Sequence, residues 1–570
     1  MSPLGTAYQP AGKLGIGQAL LMLWLVALVL YPGQWTMPVT DRDEARYSQA
    51  ATQMMETGDY IDIRFQEEPR YVKPAGIYWM QVVATQPFGG PEAPIGAYRL
   101  PSYLGVILTC LFTAMIGARM FGGAAGAIAG GILGFTMLAA ADARMAKTDS
   151  MLMAAGTLSQ LALFHILVQP KGAPPKEFRG WPLLFWFASG LAVLIKGPII
   201  TIMTVLTILF YVGVTRDWHA LRRLRPLRGV VVFAAVGLTW VALISIQTNG
   251  EFLRESVGHA LLGKVAEGDD DHGGWLLYHT SLLPVLFWPG TALLGLGLAA
   301  AWMRRKEPAM VFLIGWAFPF FILYEIVGTK LPHYVLPVYP AFALLCAVGL
   351  RDAGEILEGR LGKALHWLAL ALFALATIAL PVAAYFGISD LGGEFFTPWV
   401  LGMCAAAILV LIVGLWTLRK PTFNGTAWTG LAAVVFYALF AGGAVPRFDE
   451  MWPSNRAWQI ATRLEGCEDM RFVTAGYREP SNVFYFGTDT VLAETGAEAA
   501  RFLIDNGRCG VAIVEEREMA SFTAAMQGRP IRVLGQVRGT NVSKGRDMTL
   551  TLIVMGTSPL RLGEGEPRRL

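Results

Sequence analysis

Thirteen apolar segments limit what this chain can fold into more than any other feature of its sequence. The hydrocarbon core of a bilayer is about 30 Å thick, and a helix needs roughly 20 apolar residues to cross it. Only 15% of the 570 residues are charged, whereas soluble domains carry about 25%. The sequence therefore predicts a polytopic α-helical membrane protein with about thirteen transmembrane helices, at 14–35, 97–118, 124–141, 150–168, 181–196, 198–215, 229–248, 276–301, 309–328, 334–350, 363–387, 396–418 and 426–445.

The basic residues alternate between the connecting loops, and this predicts the topology because cytoplasmic loops carry an excess of Lys and Arg. One set of loops, together with Lys13, holds the basic clusters: Arg119, Lys171, Lys176, Arg179, Arg216, Arg222, Arg223, Arg225, Arg228, Arg304, Arg305, Lys306, Arg351, Arg360, Lys363, Arg419 and Lys420. The alternate loops hold most of the acids, at 37–92, 142–149, 249–275 and 388–395. We therefore expect a cytoplasmic N-terminus, with the 37–92 loop and all residues after 446 outside.

The character of the sequence changes at about residue 446, which predicts two domains, 1–445 in the membrane and 446–570 outside it. Short apolar runs predict strands at 471–475 and 511–515 and a hairpin from 533–537 and 549–555. Polar helical stretches at 497–506 and 516–526 complete a small α/β domain. Cys467 and Cys509 each precede one of the first two strands. If these strands are parallel neighbours in an oxidising compartment, a disulfide is expected, and two free thiols are the alternative.

A dense charged stretch, Asp41-Arg42-Asp43-Glu44-Ala45-Arg46-Tyr47, follows the first apolar segment. Ionisable groups are costly close to a membrane and often mark functional sites there. From 43 to 57 the pattern is helical and predicts an amphipathic helix along the membrane surface. We interpret this stretch as the floor of an active site.

Further polar groups lie in the same outer loops. They are Lys73, Asp142, Arg144, Lys147, Asp149, Lys196, His259, Lys264, Asp269, Asp270, Asp271, His272, Lys330, His333 and Tyr334. Cations neutralise a phosphate group, and a carboxylate can act as a general base. The combination predicts a site for an anionic lipid phosphate.

Five of the candidate residues also have a purely structural interpretation. Asp149 could cap the helix that starts beside it. Arg46 and Lys196 could be side chains that snorkel to the membrane surface. His333 could only shape a turn between prolines, and Asp43 could be an ordinary loop carboxylate.

Five short motifs, in order and on one predicted face, resemble the bacterial GT-C glycosyltransferases of the aminoarabinose transferase type, which are related to protein O-mannosyltransferases. They are Asp43-Glu44-Ala45-Arg46-Tyr47, Tyr71-Val72-Lys73-Pro74 with Tyr78-Trp79, Thr148-Asp149, Lys196-Gly197-Pro198, and Lys330-Leu331-Pro332-His333-Tyr334-Val335-Leu336-Pro337. The resemblance covers roughly residues 10–450. It implies a GT-C fold, with interfacial helices in the first outer loop and a small outer α/β domain.

The resemblance also implies an activity. This is the inverting transfer of a sugar from a polyprenyl-phosphate donor, undecaprenyl or a relative, to a lipid or envelope-glycan acceptor such as lipid A or lipopolysaccharide. The reaction would take place at the periplasmic face of the bacterial inner membrane. The implied residues are Asp43 and Asp149 for catalysis, Arg46, Lys73, Lys196 and Lys330 for the donor phosphate, and Tyr47, Tyr71, His333 and Tyr334 lining the substrate.

The sequence departs from the family at one position of consequence. The family's usual Glu before the motif Lys is Val72 here, and in the aminoarabinose enzymes that Glu, with a later His, is associated with a metal. Glu68 or His259 would have to substitute. Lys and Arg can stabilise a departing phosphate, so we expect no required cofactor, with a divalent metal as the alternative.

Other functions remain open at this point. The acceptor could be a protein Ser or Thr, or the chain could be a transporter of lipid-linked sugars. A transporter should show paired halves and mid-membrane polar sites, whereas this sequence has no internal repeat and its ionisable groups cluster at one face. We expect membrane lipids as partners, a monomer, and no nucleic-acid partner.

Overall fold

The computed structural model describes residues 9–169, 180–255, 274–390, 396–542 and 544–563. The first part of the chain is α-helical. Its helices, labelled in chain order, are α1 Ile16–Leu30, α2 Asp43–Thr57, α3 Gly76–Thr85, α4 Ile95–Phe121, α5 Gly123–Phe135, α6 Met137–Asp142, α7 Asp149–Leu167, α8 Trp181–Lys196, α9 Ile199–Thr215, α10 His219–Arg223, α11 Pro226–Gly237, α12 Thr239–Gln247, α13 Glu251–Glu255, α14 Tyr278–Leu286, α15 Thr291–Met303, α16 Pro308–Ile326, α17 Tyr339–Arg351, α18 Ala353–Ile356, α19 Arg360–Asp390, α20 Pro398–Leu418 and α21 Phe423–Leu439.

Each predicted span coincides with an apolar helix or with a bent helix pair. Among the described residues, seven helices are long and apolar enough to cross a membrane, or eight when the pair α11 and α12, bent by 48°, counts as one span. Five further apolar helices are shorter, at 10–17 residues. At 1.5 Å per residue such helices fall short of a bilayer core, so the multi-pass architecture is confirmed and the count of thirteen stays a prediction.

Small residues allow the membrane helices to pack closely, as is usual where lipid supplies no hydrophobic driving force between helices. A Cβ at Gly126 of α5 would lie 2.3 Å from the carbonyl oxygen of Ala114 in α4. A Cβ at Gly349 of α17 would lie 2.4 Å from the backbone of Leu296 in α15. These contacts fix the frame that carries the outer loops.

The first outer loop is folded against this frame. It contains α2, a two-stranded antiparallel hairpin of β1 Arg64–Phe65 and β2 Glu68–Pro69, and α3. α2 confirms the predicted helix at 43–57. It ends at Gly58, whose φ of 72° is the left-handed conformation typical of a helix C-cap.

The last part of the chain forms a mixed sheet covered by helices. Its elements are α22 Pro453–Ala461, β3 Leu464–Glu465, β4 Arg471–Ala475, α23 Pro480–Phe486, β5 Val491–Ala493, α24 Gly496–Asp505, β6 Gly510–Glu515, α25 Met519–Met526, β7 Ile531–Asn541, β8 Arg546–Met555 and β9 Arg561–Leu562. The five-stranded sheet has the order β5-β4-β6-β8-β7. β4 is parallel to β5 and β6, while β8 is antiparallel to β6 and β7. The predicted strands, helices and hairpin are confirmed.

The parallel pairing of β4 and β6 brings their preceding residues together. Arg471 lies opposite Gly510 in the register, and the structure joins Cys467 to Cys509 by a disulfide with a Cα–Cα distance of 5.8 Å. The remaining cysteines, Cys110, Cys346 and Cys404, are free.

The sheet domain packs on the first outer loop, and this changes the interpretation of α2. The sequence predicts an amphipathic helix lying along the membrane surface, but α2 is largely buried beneath α23. Polar side chains of α2 meet the domain instead of water: Gln49 Nε2 donates to Thr488 Oγ1 at 2.6 Å, and Thr488 donates to Glu56 at 2.7 Å. The loop and the domain therefore lie at the same face.

Candidate active site

The start of α2 divides its charged residues between the protein interior and an open face. Glu44 is fully buried, whereas Asp43 and Arg46 are exposed. Successive helical residues point about 100° apart, so the same turn buries Glu44 and exposes Asp43 and Arg46. Acidic residues in a first helical turn are also favoured by the helix dipole.

Glu44 forms a buried ion pair that ties three segments together. Arg99 of α4 donates to both carboxylate oxygens, at 2.7 and 3.0 Å. Glu44 also accepts hydrogen bonds from the backbone N–H of Thr40 and of Ala146, both at 2.9 Å. Burial alone would raise the pKa of Glu44, but Arg99 and these donors hold it below its usual value. Glu44 therefore has a structural role.

A second buried group forms where α7, α8 and the 332–338 turn meet. Lys196 Nζ lies 2.5 Å from Asp149 Oδ1, and His333 Nε2 lies 4.0 Å from Asp149 Oδ2. Lys196 Nζ is also 5.9 Å from the centre of the Tyr334 ring. The structure thus brings together Asp149, Lys196, His333 and Tyr334 from three separate motifs.

Lys147 connects this group to the start of α2. Burial lowers the pKa of Lys147, but the negative charges of Asp142, Asp149 and Asp43 raise it by a larger amount. The pKa of Lys147 therefore lies above its usual value. The Asp142 carboxyl accepts a hydrogen bond from Ser150 at 2.6 Å, and burial followed by the charge of Asp149 raises its pKa to about 6. The charges of both catalytic candidates, Asp43 and Asp149, therefore act on Lys147.

Arg70 is a cation of the site that the sequence analysis did not select. Its Nε donates to the Tyr78 hydroxyl at 3.1 Å, and its guanidinium lies 5.2 Å from the centre of the buried Tyr47 ring. Burial and the charge of Arg70 together lower the pKa of Arg46. The sequence signal that could have identified Arg70 is its position as a second cation three residues before Lys73.

Two predicted residues, Tyr71 and Lys330, form hydrogen bonds outside the group around Asp149. Tyr71 donates its hydroxyl to Asp62 at 3.0 Å and packs edge-on against Phe252. Lys330 Nζ donates to the carbonyl oxygens of Tyr324 and Glu325 at 2.7 and 2.6 Å. Orphan carbonyls at a helix C-terminus take such donors, so Lys330 caps α16. In the described part of the chain, no hydrogen bond or ion pair joins it to Asp149.

The remaining predictions concern Lys73 and the metal candidates. Lys73 is half-buried in the turn just before α3, on the same loop as Arg70. Glu68 is exposed in the β1–β2 hairpin, and Val72 is 56% exposed. His259 lies outside the described residues. Within those residues, no group of three His, Cys, Asp or Glu side chains is placed to hold a metal ion.

The sheet domain reaches the site through Asp41. Tyr477 donates its hydroxyl to Asp41 Oδ2 at 2.5 Å, and the Val39 N–H donates to the Tyr485 hydroxyl at 3.0 Å. Asp41 Oδ1 has no partner among the described residues. Burial raises the pKa of Asp41 from its ordinary value of 3.8 to about 6. The domain thus holds the segment that leads directly into Asp43.

This pKa gives stability a pH dependence of definite sign. An aspartate whose pKa is higher in the folded chain binds more protons when folded, so its contribution to stability falls as pH rises from about 4 to about 6. We expect Asp41→Asn to melt higher than wild type at pH 7.5, by the equivalent of about 3 kcal/mol, and the difference to shrink towards pH 4.5. Thermal denaturation across this range measures it, and a difference that is constant with pH would contradict the assignment.

The sequence of this chain is similar to those of known proteins. The family model described as "Dolichyl-phosphate-mannose-protein mannosyltransferase" matches residues 17–252. An undecaprenyl phosphate-alpha-4-amino-4-deoxy-L-arabinose arabinosyl transferase of Pseudomonas paraeruginosa is 27% identical over 366 residues, covering 62% of this chain and 65% of the relative. The transferase of the same description from Pseudomonas aeruginosa strain PAO1 is 29% identical over 343 residues, covering 59% and 60%. The chain thus matches less than two thirds of the length of these relatives.

The fold extends further than the sequence similarity. The crystal structure of ArnT from Cupriavidus metallidurans bound to undecaprenyl phosphate superposes with a TM-score of 0.73 at 21% identity, covering 94% of this chain and 98% of that one. The apo structure of the same protein gives a TM-score of 0.72. The predicted fold is confirmed by this likeness.

Proposed function

We propose that this chain, an ArnT-like GT-C membrane protein, is an inverting glycosyltransferase that takes its sugar from a polyprenyl-phosphate donor. The observation that carries the proposal is the position of Asp43, which interacts electrostatically with Arg46, Arg70 and Lys147. A carboxylate facing several cations suits a reaction in which a hydroxyl must lose a proton beside a phosphate that leaves. The relatives named for undecaprenyl phosphate-linked aminoarabinose transfer support the same donor class.

The residues divide into a base and a phosphate-binding set. Asp43 takes the proton of the acceptor hydroxyl, whose oxygen attacks the anomeric carbon from the face opposite the phosphate. The bond between that carbon and the phosphate oxygen breaks, the phosphate keeps the electron pair, and the anomeric configuration inverts. Arg46, Arg70 and Lys73 hold the phosphate as its charge develops.

Asp149 is the less suitable base. Its carboxylate is buried and already paired with Lys196 at 2.5 Å, whereas Asp43 is exposed at the same site. We assign Asp149, Lys196 and His333 to the sugar-binding wall of the site, and Tyr334 lines it beside Lys196. A base must reach the acceptor proton, and the open position of Asp43 allows this.

The topology is part of the proposal. The alternation of basic loops favours a cytoplasmic N-terminus, and we assign the site and the sheet domain to the periplasmic side of a bacterial inner membrane. We divide the chain into a membrane domain at 1–445 and a periplasmic α/β domain at 446–570. The acceptor is a lipid or envelope glycan of the lipid A type. A protein hydroxyl is the second candidate, favoured by the match of residues 17–252 to the protein mannosyltransferase family model.

The phosphate assignment is tested at Arg70. A charge-assisted hydrogen bond contributes about 1.5–3 kcal/mol, so we expect Arg70→Met to weaken binding of undecaprenyl phosphate by about 10- to 100-fold. Binding to the purified full-length chain in detergent, measured by competition with a radiolabelled donor, gives the affinity. Arg70→Lys should recover part of the loss because it keeps the charge.

Arg64→Met is the matched control. Arg64 belongs to the same hairpin but is paired with Asp62 at 2.8 Å and exposed, so binding should not change. Unchanged affinity in both Arg70→Met and Arg46→Met would remove the phosphate site from this position.

A further inference from the structure

A groove rich in arginine lies far from the candidate active site, at the turn between α10 and α11. It is lined by Leu221, Arg222, Arg225, Pro226, Leu227 and Arg228. Lys196 is at the end of α8 beside the active site, and α9, of 17 residues, leads away from it. At 1.5 Å per residue α9 spans about 25 Å, so the groove lies beyond the end of α9 that is remote from Lys196, among the basic loops.

The three arginines of the groove lack the acidic partners that neutralise other arginines of these loops. Arg223 pairs with Asp217 at 2.5 Å, and Arg304 and Arg351 both pair with Asp352, at 2.5 and 2.9 Å. Arg222, Arg225 and Arg228 are exposed. Within the described ranges none of the three has a carboxylate in ion-pairing distance, so the groove presents three uncompensated positive charges.

Exposed apolar side chains border these charges. Leu227 is 91% exposed and Trp218 is 64% exposed. A polar, cationic surface next to apolar side chains is the pattern of a segment that lies in the headgroup region of a bilayer. Tryptophan is also enriched at that depth.

The turn that carries the groove is held against α8. Trp186 of α8 donates its indole N–H to the carbonyl oxygen of Leu224 at 2.8 Å. A Cβ at Gly229 would lie 1.8 Å from the same indole nitrogen, so only glycine allows α11 to approach α8 this closely. The turn is therefore fixed to α8, and its three arginines line one groove.

We propose that this groove binds the phosphate of an anionic phospholipid from the surrounding leaflet. Guanidinium groups match phosphate oxygens with paired hydrogen bonds, and the N-terminus of α11, a helix of 12 residues, adds backbone N–H groups and a favourable dipole. The acyl chains lie against Leu221 and Leu227. The bound lipid stabilises the α8–α11 pair and, through α8, the membrane frame around Lys196. This site is independent of the proposed transferase activity.

The test is lipid retention by the purified full-length chain. Native mass spectrometry after exchange into phosphatidylcholine with 30% phosphatidylglycerol should show phosphatidylglycerol bound preferentially. Each cation near an anionic lipid surface contributes about a fivefold factor in affinity, so the triple variant Arg222→Gln, Arg225→Gln, Arg228→Gln should retain it roughly a hundredfold less. The variant with all three arginines changed to Lys keeps the charges but loses the paired hydrogen bonds, so it should retain an intermediate amount. Retention above that of the Gln variant would show that charge at these positions contributes to binding.

The matched control removes three exposed cations from other basic loops, by Arg360→Gln, Lys363→Gln and Arg419→Gln, and should retain phosphatidylglycerol like wild type. Equal loss in this control would reduce the effect to net charge and overturn the proposal, as would unchanged retention in the groove variant. Displacement of the lipid by millimolar inorganic phosphate would show a free-phosphate site instead. We expect no displacement, because phosphate lacks the apolar contact with Leu227.

Discussion

Asp43→Asn should lower kcat for sugar transfer by about a thousandfold, because a general base contributes roughly 10²- to 10⁴-fold to a rate. Asparagine keeps the size of the side chain and cannot accept the acceptor's proton. Donor binding should change little, since Arg46, Arg70 and Lys73 still hold the phosphate. Transfer of radiolabelled sugar from a polyprenyl-phosphate donor to an envelope extract measures the effect, with undecaprenyl phosphate binding measured in parallel.

Glu68→Gln is the control for this experiment. Glu68 is an exposed carboxylate of the same outer loop, and its replacement should leave kcat within about twofold of wild type, as expected for an exposed surface position. Full turnover by Asp43→Asn would remove Asp43 from the base role. Loss of turnover in Asp149→Asn with retention in Asp43→Asn would transfer that role to Asp149.

The second large effect concerns folding. Glu44→Ala should destabilise the chain by about 3–5 kcal/mol, because removing one partner of a buried ion pair leaves the other charge uncompensated. Arg99 has no exposure in the structure and would keep only its backbone partners, the carbonyl oxygens of Gln34, Met37 and Pro38. The expected result is loss of monodisperse protein after detergent extraction, or a melting temperature far below that of wild type.

Glu56→Ala tests whether the loss is specific. Glu56 is on the same helix, is exposed, and makes one hydrogen bond, from Thr488 at 2.7 Å. Its replacement should cost less than about 1 kcal/mol. Similar destabilisation by the two variants would contradict the prediction, because the loss of stability would not be specific to the Glu44–Arg99 ion pair.

Much of the fold could be predicted from patterns that act locally. Strands β4 and β6 are short, mostly apolar runs, and Asp43 to Thr57 carries a helical period ended by a glycine, so neighbouring residues determine these elements. The number of membrane crossings is harder to predict, because helices such as α1 and α5 have 15 and 13 residues. Apolar composition marks them as membrane helices, but their length alone does not.

The candidate site could be predicted only where a motif carries it. Asp149, Lys196 and His333 belong to separate motifs, and their grouping follows once the motifs share one face. Arg70 was missed because its partners, Tyr47 and Tyr78, are identified by packing rather than by spacing. Lys330 was placed at the phosphate because its motif is cationic, whereas its ammonium is satisfied by two backbone carbonyls that no sequence pattern indicates.

The contact between Tyr477 and Asp41 has a consequence for the order in which the protein matures. Asp41 and Asp43 are synthesised early, whereas Tyr477, Tyr485 and Thr488, which hold that segment, follow more than 400 residues later. The helices of the membrane part are therefore inserted before the outer wall of the site exists. A nascent chain can carry every charged residue of the proposed site and still lack its geometry, which is complete only when the sheet domain has folded and docked on the first outer loop.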